Sequence, residues 1–83
     1  MGHQHEELLN RIVIDPDIMV GKPVIRGTRL TVQFILELMS DGLSIEEIID
    51  EYQGLKREDI IACLCYASES IQHTSVVPLK IEA

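Results

Sequence analysis

The sequence predicts a mainly α domain: three helices in helix-turn-helix order behind a short N-terminal β hairpin or strand pair. Two observations carry that reading. After Thr31, apolar residues recur at helical spacing in successive windows, punctuated by Gly42 and Gly54. Before Thr31 the chain runs in short β-branched pieces, broken by Asp15-Pro16-Asp17, by Gly21-Lys22-Pro23 and by Gly27.

Taken in order, residues 1–10 read as a flexible N-terminal arm, with Leu8 and Leu9 as its docking points. Residues 11–30 form the β segment. Arg11-Ile12-Val13-Ile14 is a strand closed by the Asp-Pro-Asp turn, Ile18-Met19-Val20 resumes the extended path, and further extended pieces follow at Val24-Ile25 and Arg29-Leu30. Strands this short need partners, from this chain or from a second copy.

The first helix is expected over residues 32–41, with Val32, Ile35, Leu36 and Met39 as its stripe, Thr31 as N-cap and Gly42 as its stop. Ser44 and Glu47 form a capping box opening the second helix, residues 44–52, whose stripe is Ile45, Ile48, Ile49 and Tyr52. The third helix, residues 57–72, carries Ile60, Leu64, Ala67 and Ile71 on one face, widened by Ile61 and Cys65. Residues 74–83 read as an extended tail in which Val77, Leu79 and Ile81 alternate, the pattern of a strand that adds to a sheet edge.

With 83 residues, 46% of them hydrophobic, the chain is one small domain. A core this size hides only about 60% of the unfolded chain's surface, so a homodimer or an obligate partner is expected to supply further burial. No apolar run is long enough to span a bilayer, and the start lacks the basic-then-apolar order of a secretory signal, so a cytoplasmic location is expected.

Charge is distributed unevenly. Within a net charge of -7, three of the seven Lys and Arg residues fall in Gly21–Arg29 with no acid among them. This cationic island makes Lys22, Arg26, Thr28 and Arg29 candidate contacts to an acidic partner. The plainer alternatives are a solvated turn, or ion pairs from either Arg to Glu46, Glu47 or Asp50.

Little else points to chemistry. Cys63 and Cys65, two apart on a helix, face different ways; they are poorly placed to share a metal and read as small buried hydrophobes. His3 and His5 lie in the polar arm and are read as silent. No residue is placed as a base for either thiol, the carboxylates of the second helix read as a solvated face, and Gly21 to Gly27 lacks a P-loop ending. No enzyme activity, cofactor or metal is expected.

Helix-turn-helix order makes Lys56 and Arg57, at the start of the third helix, candidate DNA contacts. Glu58, Asp59 and the acidic second helix oppose that reading, as does a sequence pI of about 4.7, because each phosphate contact needs a cation.

Arg11-Ile-Val-Ile-Asp-Pro-Asp, Gly21-Lys-Pro-Val-Ile-Arg-Gly-Thr-Arg-Leu-Thr-Val, Gly42-Leu-Ser-Ile-Glu-Glu-Ile-Ile-Asp-Glu-Tyr, Leu55, Asp59-Ile60 and Tyr66-Ala67 together carry a resemblance. Over residues 11–70 the chain resembles the antitoxin-like helix-turn-helix family long catalogued as a bacterial and archaeal domain of unknown function. The resemblance implies a three-helix, homeodomain-like or winged-helix-like domain, usually dimeric, and often encoded beside a small toxin similar to PIN-domain ribonucleases. By that analogy the chain binds and neutralises such a nuclease and binds its own operator DNA. Gly21, Pro23, Arg26, Gly27, Thr28, Arg29, Ser44 and Glu47 match the signature. Gln53 departs from it where Pro is frequent, and Lys56 departs where Thr or Ser would cap the third helix.

Two functions from different classes follow: an interaction module that silences a PIN-like toxin, with Arg26 and Arg29 meeting the carboxylates of its metal site, and a dimeric DNA-binding regulator without a toxin partner.

Overall fold

The computed structural model describes residues 2–73 and the side chains from His5 onward. The order is α1 (Gly2–Leu9), β1 (Ile12–Ile14), a tight turn over Met19–Gly21, β2 (Pro23–Ile25), α2 (Val32–Ser40), α3 (Ile45–Glu51) and α4 (Arg57–His73). The tail expected over residues 74–83 lies outside the described residues.

β1 and β2 make an antiparallel pair in which Ile12 faces Ile25, Val13 faces Val24 and Ile14 faces Pro23. Pro23 stands at the first position of its strand, where a missing N–H costs least. The third extended piece, expected around Arg29–Leu30, is reduced to a single bridge between Val24 and Thr31.

The helix ends follow local chemistry. Thr31 accepts from the N–H of Phe34 at 3.0 Å and starts α2. Gly42, at φ 101°, takes the left-handed position that ends it. Ser44 and Glu47 complete both halves of the capping box on α3, at 3.1 and 2.8 Å.

The core is built from Ile25 of β2, Val32 and Ile35 of α2, Ile48 of α3, Leu55 of the connector, and Ile60 and Cys63 of α4. Phe34 and Tyr52 meet edge to face, ring centres 5.7 Å apart, and tie α2 to the end of α3.

Three expectations are corrected. Of the flexible arm expected over residues 1–10, Gly2–Leu9 is instead helical and packs along α4, with His5 Nε2 at 2.9 Å from the Glu69 carboxylate. Ile18-Met19-Val20 is not extended throughout, since only Ile18 keeps extended angles before the chain enters a left-handed turn. The inward face of α4 is Ile60, Ala62 and Cys63, while Leu64 is 42% and Ile71 72% exposed. The reason is geometric: α2, α3 and β2 contribute core residues only against the first turns of α4, where the row from Ile60 to Cys63 points inward.

Candidate partner-binding site

The cationic island lies on the loops that flank β2, and its members do different things. Arg26 donates from Nε and Nη2 to the backbone carbonyl of Asn10, at 2.9 and 2.8 Å, and its own N–H donates to the carbonyl of Arg11 at 2.7 Å. It therefore fastens the β2 loop to the end of α1. Thr28 donates its hydroxyl to the Ile25 carbonyl at 2.8 Å and accepts from the Leu30 N–H at 3.0 Å, closing the turn around Gly27. The alternative pairing of Arg26 or Arg29 with the α3 carboxylates does not occur among the described residues.

Lys22 and Arg29 are exposed, and neither makes a side-chain hydrogen bond or ion pair with a described residue. Both line a cavity of about 370 Å³ together with Met19, Leu30, Phe34 and Glu37. On the rim stands the Met19–Gly21 turn, in which three consecutive residues have positive φ: 50°, 55° and 75°. Two hydrogen bonds hold it, from Gly21 N–H to the Ile18 carbonyl and from Lys22 N–H to the Met19 carbonyl, each 3.1 Å. For a β-branched residue this region is a genuine outlier. Val20 sits in it and is 92% exposed.

The start of α4 is built differently. Lys56 lacks a capping side chain, and Asp59 takes over: one carboxylate oxygen accepts from the Lys56 N–H at 2.9 Å and the other from Arg11 Nη1 at 3.0 Å. Asp59 is only 8% exposed, so it both caps the helix and ties it to the start of β1. Arg57 is paired with Glu46 at 2.9 Å. Of the two candidate DNA contacts, Arg57 is thus engaged in a solvent-exposed ion pair. One flank of α4, at Arg57, Glu58 and Ile61, faces Glu7, Leu8 and Arg11 across a cavity at the end of α1.

Glu47 has its carboxyl held below the usual range, chiefly by the backbone N–H of Ser44 and then by the Ser44 hydroxyl. The Cys63 thiol is pushed up to about 12, first by burial and then by the negative charge of Asp59, so it carries no thiolate at neutral pH. Cys65, half-buried, is raised as well, by burial and then by Glu69. Among the described residues no group of His, Cys, Asp and Glu is placed to hold a metal ion, and no helix is long and apolar enough to cross a membrane.

Sequence reasoning missed two of these features. Nothing in Ile18-Met19-Val20 signals a left-handed turn, because β-branched residues avoid it. Asp59 did carry a signal: an acid three residues after a helix start supplies the second half of a capping box even where Ser or Thr is missing.

The fold and its motifs have relatives. An uncharacterized protein of Sinorhizobium fredii, y4eO, is 34% identical over 56 residues, which are 68% of this chain and 25% of that protein. The chain therefore spans about a quarter of that relative's length. A crystal structure of a DUF433 member protein from Anabaena variabilis superposes with a TM-score of 0.72 at 29% identity, over 82% of this chain and 67% of that one. Residues 12–67, from β1 into α4, match the family described as protein of unknown function, DUF433. That match takes in the β pair, the cationic island, the capping box and the Asp59 anchor, and the chain belongs to the DUF433 family.

Proposed function

We propose that the chain is an antitoxin-like interaction module that binds and neutralises a PIN-like ribonuclease. One observation carries the reading: the left-handed turn that projects Val20 into solvent beside Lys22 and Arg29, two cations unpaired among the described residues, in a chain of net charge -7. Residues held in sparsely populated backbone regions cluster where a surface engages something else. An apolar tip flanked by cations suits a protein surface with an acid-lined pocket, and a nuclease metal site is such a pocket. In this reading Arg26 and Thr28 shape the loop, while Val20 and Arg29 make the contact.

A DNA-binding regulator is the second reading, favoured by the helix-turn-helix order of α3 and α4 around Gly54. Glu46 beside Arg57 and Glu7 of α1 beside the start of α4 work against it, because carboxylates there repel phosphate.

The test is co-purification with the product of the adjacent gene, followed by a ribonuclease assay. Wild-type chain is expected to suppress cleavage. Val20→Asp and Arg29→Glu are each expected to weaken the complex at least about tenfold, equivalent to about 1.4 kcal/mol. Undiminished inhibition by both variants rules out this surface. Binding instead to the chain's own upstream DNA, falling steeply with salt, moves the regulator reading to first place.

A further inference from the structure

A second surface adjoins the Val20 turn and shares Lys22 and Glu37 with the cavity there. Between α2 and α4 runs an open groove of about 600 Å³, floored by Pro23, Val32, Leu36, Tyr66, Ala67 and Ile71. Among the described residues Ile71 is the second most exposed large apolar side chain. It ends the stripe that the sequence places inward, of which Ile60 is buried in the core while Ile71 is left uncovered.

The charges around the groove indicate its occupant. Among the described residues Glu37 is the only acid that lines it and Lys22 the only Lys or Arg. Neither makes an ion pair with a described residue. A chain of net charge -7 repels its own copies over most of its surface, and α1, α3 and the first turn of α4 carry much of that charge. The groove is the apolar face where two copies can approach without placing acid on acid. One cation and one anion on a shared patch also satisfy a two-fold contact, in which each residue meets its counterpart twice.

We propose that this groove is a self-association surface, in which two copies pack Ile71 and the α2–α4 floor against each other and Lys22 of each pairs with Glu37 of the other. Lys22 and Glu37 border both surfaces, so Ile71, which lines this groove and not the Val20 cavity, separates self-association from whatever the Val20 turn binds.

The experiment is sedimentation equilibrium on the full chain from micromolar to near-millimolar concentration. The wild type is expected to dimerise. Ile71→Asp changes a residue already exposed, so the fold is retained, and it should weaken the dimer at least about tenfold. Lys22→Glu and Glu37→Lys should each weaken self-association. Mixed together, the two variants should form a heterodimer at least as tight as the wild type, because both crosswise pairs are then restored with their charges compatible. Circular dichroism confirms that each variant is folded. A wild type that stays monomeric overturns the proposal, as it would if residues 74–83 or a different protein covered the groove. A dimer indifferent to Ile71→Asp, or a mixture no tighter than its parents, overturns it equally.

Discussion

A β-branched side chain in the left-handed region crowds the following carbonyl at a cost of about 1–2 kcal/mol, and Val20 sits there at φ 55° and ψ 39°. Its exposure means that almost no burial offsets this cost. Glycine removes the crowding but returns about 0.5–1 kcal/mol of entropy to the unfolded chain. Val20→Gly is therefore expected to stabilise the fold, by about 0.5–1 kcal/mol, visible as a higher urea midpoint. If Val20 is the apolar anchor of a partner complex, the same substitution weakens binding. An unchanged or lower midpoint would mean that the valine makes native contacts that its exposure conceals. The two readouts move in opposite directions only if the strain is kept for recognition.

At the scale of elements, α4 is held at its start by a single carboxylate. Removing it in Asp59→Ala leaves the Lys56 N–H without its cap and Arg11 without its partner, and should cost about 1–2 kcal/mol. Asp59→Asn keeps one acceptor and should lose less. Chemical denaturation of both variants measures the difference, and hydrogen exchange in β1 should rise with it, because Arg11 anchors that strand. Equal losses in the two variants would indicate that the ion pair matters and the cap does not. The ends of α2 and α3 were legible in the sequence for the same local reason: Thr31, Ser44, Glu47 and Gly42 act within a few residues of themselves. What was not legible is tertiary. Arg26 finds its acceptor at Asn10, sixteen residues away, which no local pattern encodes. The row of α4 that turns inward depends on how far α2 and α3 reach along it. The short polar run of α1 offers two leucines and little else to announce that it docks on α4.

For the whole molecule, Cys63 reports on the core because it touches the shared cluster of β2, α2, α3 and α4. Its thiol holds its proton up to about 12 when folded, against a usual value of 9.0. Between those values the unfolded chain has released the proton and the folded chain has kept it. The contribution of this group is thus fully present below pH 9.0 and declines as pH rises toward 12. Cys65 shifts in the same direction, so both thiols favour the fold at neutral pH over alkaline pH. Urea midpoints for wild type and Cys63→Ala across that range isolate the effect: the gap between them should narrow as pH rises above 9.0, since alanine has no proton to lose. Thiol labelling at neutral pH gives the kinetic counterpart. Half-buried Cys65 should react by local opening, whereas Cys63 should react only as fast as the chain unfolds globally, because four elements must part to expose it. Comparable native-state rates for the two would place Cys63 in a part of the core that opens on its own, and would detach α4 from the cooperative unit on which both surfaces of this domain are built.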